Sequence, residues 1–292
     1  MIKKLTIFLL MTSFSISVFS QPQIGMSGTV EWNSLELNTT VTLDLASAGI
    51  RLPAGRTLSE SILAEGYSRL ILRPILDLQV DSSSTVSDLV ERGEFSMQQI
   101  IAIAQSARSV PPTLSPDMLN MSSSYTIQLS GLISALMRHS RPSPVFGILN
   151  PATTANYTGI IIIASENLPA HGMRRSFLPV PCLFPKIWDS EMNLIYDRQM
   201  VEPQRLPVRY LSAENILFNT PSGLSPQLQE VVGEYPLRIF ACGVFGINPT
   251  DLIIDRNDAL LILSGEENRR LLTQGKVAII LNESVLTDNL LW

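Results

Sequence analysis

The chain reads as an α+β protein built from two mixed modules. Three observations predict it. An alternating apolar run in the first half is followed by successive helix-capping patterns, a proline-rich break lies near the middle, and the second half ends as strand, turn, helix, strand. The expected organisation is a signal peptide over 1–20, an N-terminal β-helices-β module over 24–139, a linker over 140–156, and a C-terminal module over 157–292 whose sheet carries that ending.

Composition bounds the class. The chain has 292 residues, of which 45% are hydrophobic and 16% charged, which supports a sizeable core and argues against disorder. The formal net charge is -5, and the first twenty residues hold two lysines and no acid. An acidic chain lacks the Lys and Arg excess that neutralises phosphates, so no nucleic-acid partner is expected.

Met1–Lys4 is a short basic start, and Leu5–Phe19 is apolar, diluted by Thr and Ser. Val18 and Ser20 place small residues where a signal peptidase reads, which predicts cleavage between Ser20 and Gln21. The competing reading, a membrane anchor, asks for a longer run with fewer hydroxyls. No cysteine lies beside the cleavage site, which argues against an acylated anchor, and no later segment is long and apolar enough to cross a bilayer. The mature chain is therefore expected to be exported and periplasmic.

Residues 21–27 read as a flexible lead. Thr29–Leu45 alternates through Val30, Trp32, Leu35, Leu37, Val41, Leu43 and Leu45, which predicts one long strand or a hairpin. Thr57 with Glu60 reads as a capping box before a helix that Pro74 kinks or ends. Asp81–Ser84 lacks the glycine and lysine of a phosphate loop and reads as a turn. Thr85 with Asp88, and Ser96 with Gln99, open two further helices, the first ending at Gly93. Tyr125–Met137 is apolar, and its period does not separate strand from helix. Arg138–Ala155 holds Pro142, Pro144, Gly147 and Pro151 and marks the boundary.

Beyond it, Tyr157–Ala164 predicts a strand buried on both faces. Phe184–Trp188 and Asn193–Tyr196 predict short strands around a hairpin turn at Asp189–Met192. A short helix is expected at Ala213–Phe218 and another at Ser225–Val232. Leu237–Phe245 predicts a strand, Gly246–Pro249 a turn, and Asp255 an N-cap with Asp258 three residues on. The helix breaks at Gly265 and stops at Gly275, and Lys276–Leu281 is a last strand.

No stretch demands a reaction. His139 and His171 are the only histidines. A triad through His171 is spatial and stays open, but no G-x-S-x-G elbow accompanies it. Asp251, Asp255 and Asp258 lack the order and glycine of a calcium loop, and helix capping accounts for the last two. Two cysteines and two histidines, far apart, argue against structural zinc. Cys182 and Cys242 are the candidate disulfide outside the cytoplasm; two buried free thiols are the other reading. Trp32 and Trp188 read as core. Trp292 ends an apolar tip that is either tucked onto the body or offered to a partner.

The second half resembles exported bacterial proteins of the flagellar-assembly group, which include small outer-membrane lipoproteins and periplasmic ring proteins around the motor. The residues that carry the likeness are Tyr157, Thr158 and Gly159 before an apolar strand, then Pro185, Ile187, Asp189, Ile195 and Tyr196 in a hairpin. Asn248, Pro249, Thr250, Asp251, Asp258 and Ala259 follow in a turn and helix. The arrangement also resembles exported spirochaetal proteins, whose flagella turn inside the periplasm. The likeness covers the first half only in outline and implies no catalytic residue. The lipoprotein members carry an acylated cysteine that this chain lacks, so a partner would have to hold it at an outer membrane.

These readings make a non-enzymatic periplasmic structural or assembly protein the first expectation, with a flagellar motor accessory as its sharper form. Its partners would be envelope proteins or further copies of itself, and no cofactor is expected. An exported hydrolase using His171, or a module binding an envelope ligand, is the alternative.

Overall fold

A computed structural model describes residues 23–216 and 222–291. The alternating run folds as a hairpin. Strands β1 (Ile24–Glu31) and β2 (Glu36–Asp44) pair antiparallel, with Ile24 opposite Leu43. The expected lead is thus already sheet from Ile24. Leu37, Val41 and Leu43 turn inward, while Asn38, Thr40 and Thr42 face outward, the pattern of a sheet covered on one side.

Helix α1 (Arg56–Leu70) covers the inner face and α2 (Leu72–Asp77) continues it. The Thr57–Glu60 box does not form. The helix starts two residues earlier, Gly55 caps it without a side chain, and Glu60 accepts from Arg56 Nε at 3.0 Å. Pro74 sits in the first turn of α2, where no helical hydrogen bond is lost. Strands β3 (Gln79–Asp81) and β4 (Ser84–Thr85) frame the predicted turn. Both other capping boxes form as read, on α3 (Val86–Glu91) and α4 (Met97–Gln105). Two short strands, β5 (Arg108–Ser109) and β6 (Thr113–Leu114), pair along one edge of β7 (Asn120–Gln128), whose other edge pairs with β2, and β7 leads straight into α5 (Leu129–Leu136). The ambiguous segment Tyr125–Met137 is therefore strand first and helix second.

Residues 137–159 carry neither helix nor strand. A second sheet then assembles around β8 (Ile160–Ile163), whose Ile160, Ile161 and Ile162 are all buried. The strand pair β9 (Leu168–Pro169) and β10 (Ser176–Phe177) follows. The predicted hairpin is β11 (Ile187–Asp189) with β12 (Leu194–Tyr196). Next come β13 (Arg209–Ser212), α6 (Pro226–Val232), β14 (Leu237–Phe245) and β15 (Asp251–Ile254). The expected 213–218 helix is a 3-10 turn over Ala213–Ile216, and the rest of that range lies outside the described residues. Helices α7 (Arg256–Ser264) and α8 (Glu266–Thr273) divide at Gly265, and β16 (Val277–Leu281) follows Gly275, which has φ 64°. Asp255 caps α7 by accepting from Asn257 N–H at 2.8 Å. The seven-stranded order is β12-β11-β15-β14-β8-β16-β13. From β14 to β13 the neighbours are parallel, and β15 runs antiparallel to β14.

The chain then returns to its beginning. Strand β17 (Thr287–Leu291) leaves the second sheet and pairs antiparallel with β1, Asp288 lying opposite Val30. A single apolar core joins the modules, running from Val30 and Leu37 through Ile75 and Leu132 to Ile162, Ile254 and Ile279. A smaller cluster under α6 covers part of the other face of the second sheet, where Ile161 and Ile280 meet Leu228 and Val232. Backbone bonds also cross between the modules. Leu183 N–H donates to Gln79 at 3.0 Å, Phe184 N–H to Val80 at 2.8 Å, and Asn248 N–H to Ser82 at 2.9 Å.

Candidate functional site

The junction of the two modules concentrates the polar chemistry. Asp251 opens β15 and is 1% exposed. It accepts from Ser82 Oγ at 2.9 Å, from Lys186 N–H at 3.2 Å and from Trp188 Nε1 at 3.4 Å. Ser82 comes from the β3–β4 turn, so one carboxylate ties a turn of the first module to two residues of the second. Burial pushes the Asp251 carboxyl above its ordinary range, against the lowering effect of these donors.

On the same sheet, Cys182 N–H donates to Tyr210 Oη at 3.2 Å, and Tyr210 Oη donates to the Cys182 carbonyl at 2.9 Å. Burial pushes the Cys182 thiol up to about 12 and raises the Tyr210 phenol as well. A thiol that stays protonated at neutral pH is a weak nucleophile. The Tyr210 ring meets Trp32 edge-on, with centroids 6.0 Å apart, and Trp32 Nε1 donates to Asp288 on β17 at 3.0 Å. This second tie joins the β1–β2 turn, β13 and the closing strand.

A groove of about 680 Å³ opens beside β13. One wall is the β1–β2 turn, through Asn33 and Ser34, and the other is α6, through Gln227, Glu230 and Val231. Arg205, Arg209 and Lys276 bring positive charge to it, and Glu230 and Glu283 negative. Arg205 pairs with Glu202 at 3.6 Å. Among the described residues, Arg209 and Lys276 have no ion pair. β13 is the last strand of the sheet and pairs only with β16, and its Arg209, Leu211 and Ser212 line the groove. Gly275 lets the chain close behind it, since a Cβ there would stand 2.1 Å from the Leu206 carbonyl oxygen.

The outward face of the first sheet holds a shallower polar depression of about 710 Å³, lined by Ser27, Thr29, Asn38, Thr40, Ser124 and Thr126. Its groups bond one another, Thr40 with Ser124 at 3.1 Å and Thr126 to Asn38 at 2.7 Å, as on a solvated sheet face.

The residues singled out in the sequence fall in several places. Cys182 is buried and Cys242 exposed, as two free thiols, the latter donating from Sγ to the Ile253 carbonyl at 3.4 Å. Ser20, Gln21 and Trp292 lie outside the described residues. His171 is exposed, with its ring edge-on to Phe245 at 5.9 Å. His139 is half-buried and bonds the Val201 carbonyl through Nε2 at 2.6 Å. Among the described residues, no three His, Cys, Asp or Glu side chains are grouped to hold a metal ion. None of the described helices is long and apolar enough to cross a membrane.

Several residues that carry the family resemblance hold turns and close approaches. Thr158 Oγ1 donates to Val232 at 2.7 Å and accepts from Tyr235 N–H at 3.0 Å. A Cβ on Gly159 would stand 2.4 Å from Val232 Cα. Asp189 accepts from Glu191 and Asn193 N–H at 3.0 and 2.7 Å, closing the β11–β12 hairpin. Sequence reasoning passed over Ser82, Tyr210, Arg209 and Lys276 and left Asp251 without a role. An acid joined directly to the apolar Leu252–Ile254 was the available signal for the last.

Residues 23–136 match the family model of the N-terminal domain of Treponema pallidum Tp0624, and residues 159–283 match the model of its second domain. No curated protein matches the chain. With both domains matched in that order, the chain belongs to the family of Treponema pallidum Tp0624.

Proposed function

We propose that this protein is a non-enzymatic structural or assembly component of the bacterial periplasm, acting through protein partners in the cell envelope. One observation carries the reading: the buried ionisable and hydroxyl groups at the junction are engaged in holding two modules as one body. Asp251 is saturated by donors from both modules, and Cys182 and Tyr210 bond each other. A rigid body with polar surface grooves suits a scaffold better than a reaction site, which needs poised groups facing a cleft. The sharper form of the proposal is a flagellar motor accessory, supported by the resemblance of the second module and by the spirochaetal family.

Cross-linking with mass spectrometry on intact cells tests it, with the mature protein as bait. Enrichment of motor or outer-membrane ring proteins is the expected result. Recovery of the protein as a lone monomer would sink the proposal.

A further inference from the structure

We infer that the strap over residues 143–152 is a membrane-contact element, which lays Phe146 and Leu149 into the interface of an anionic lipid bilayer. The inference goes beyond the scaffold proposal and rests only on its placement of the chain in the cell envelope.

The strap is held at both ends. Ser143 N–H donates to the Gln199 carbonyl at 2.7 Å, and Ala152 N–H to Ser264 Oγ at 2.8 Å. Between these anchors Val145 packs onto the shared core, and Gly147 lies against Arg269, whose Nη1 is 3.0 Å from where a Cβ on Gly147 would stand. Pro144 and Pro151 bracket the span and fix φ at two positions, which leaves less backbone freedom to lose on binding. The outward side chains are Phe146, 78% exposed, and Leu149, 100% exposed. One exposed apolar side chain is ordinary, but two on the same short run, with nothing packed over the second, make a protruding apolar tip. A tip of that shape enters a fluid lipid interface without needing a matching pocket.

Charge selects an anionic surface. From Met118 to Ser165 the sequence holds no Asp or Glu, although the chain carries 26 acids and a net -5. Arg138 and Arg141 lie in that stretch, both exposed and without an ion pair among the described residues. Arg269, under the strap, donates to the Leu263 carbonyl at 2.5 Å rather than to an acid. The acids closest in sequence to the two anchor points are already engaged. Glu266 and Glu267 pair with Arg270 at 3.2 and 2.9 Å, Glu202 pairs with Arg205 at 3.6 Å, and Asp197 caps the Arg198–Met200 turn. Uncompensated arginines beside an apolar tip reach headgroup phosphates while the apolar side chains sit below them, and that attraction is screened by salt.

The test is co-sedimentation of the full mature chain with two kinds of vesicle, pure phosphatidylcholine and an equimolar mixture of phosphatidylcholine and phosphatidylglycerol. The mixed vesicles should bind on the order of tenfold more tightly, and added salt should weaken that binding. The double variant Phe146→Ser, Leu149→Ser should weaken binding on the order of tenfold or more. The double variant Arg138→Gln, Arg141→Gln should remove most of the preference for the mixed vesicles. All four sites are exposed, so thermal melts of both variants should match the wild type. A Phe146→Trp variant places the contact directly: its emission should shift to the blue on mixed vesicles, above the background of the three native tryptophans.

No binding to either vesicle, equal binding to both, or binding that the Phe146→Ser, Leu149→Ser variant retains would overturn the inference. So would cross-links from the strap to a protein in cells without vesicle binding, since the strap would then be a protein-docking element. These outcomes leave the scaffold proposal standing if motor or outer-membrane ring proteins are still recovered. A lone monomer in cells removes the scaffold proposal while vesicle binding is read on its own.

Discussion

Asp251→Ala is expected to destabilise the protein by about 3 kcal/mol. The substitution strips the acceptor from Ser82 Oγ, Lys186 N–H and Trp188 Nε1 at the module junction. Each buried donor left unmet costs about 1–3 kcal/mol, and relief of the carboxylate's own burial offsets part of that sum. At roughly 2–4 °C per kcal/mol for a chain of this size class, the melting temperature should fall by about 6–12 °C. Thermal unfolding followed by circular dichroism reads it directly. Ser82→Ala removes one donor and should cost about 1 kcal/mol, and the double variant should fall short of the sum because the two groups share a bond. The pH dependence adds a sign. Burial raises the Asp251 carboxyl above its ordinary range, so its contribution is fully present below its unfolded value and is lost as pH rises through its folded value. The stability gap between wild type and Asp251→Asn should therefore narrow as pH climbs through that window. An Asp251→Ala protein melting within about 1 °C of wild type, or a gap that widens with pH, would refute the reasoning.

Other outcomes follow from named contacts. Trp32→Ala should cost about 3–5 kcal/mol in urea unfolding, because it empties a buried site and removes the Tyr210 and Asp288 contacts. Gly246→Ala should cost upwards of about 1 kcal/mol, since Gly246 has φ 108° and a Cβ would stand 2.3 Å from Ser82 Cβ. Gly131→Ala, in helix α5 with nothing within 4 Å of the added carbon, should instead be neutral or stabilise by up to about 1 kcal/mol. In the native protein a thiol reagent should titrate the exposed Cys242 slowly and leave Cys182 untouched until denaturant is added. Rapid reaction of both thiols in the folded state would contradict the burial of Cys182.

What was legible in the sequence was local. The Thr85–Asp88 and Ser96–Gln99 boxes, the Asp255 cap, and the stops at Gly93 and Gly275 each depend on residues a few positions apart. The Thr57–Glu60 pattern failed because the helix already begins at Arg56, which puts Thr57 inside the first turn rather than at the N-cap. Strand β15 escaped notice because all four of its residues are buried, which removes the alternation that marks a half-exposed strand. Strand β17 is polar at its start and pairs with β1 at the other end of the chain. The junction was hidden for the same reason, since Ser82 and Asp251 are 169 residues apart. The Tyr196 hydroxyl, buried against the Pro207 carbonyl, and the Tyr210–Cys182 pair likewise became partners only through the fold.

Differential scanning calorimetry of the mature chain tests the joining of the modules most directly. A shared core, the Asp251 tie and the return of β17 to β1 predict one transition, with calorimetric and van't Hoff enthalpies in agreement. Two resolved transitions, one for each module, would contradict the account.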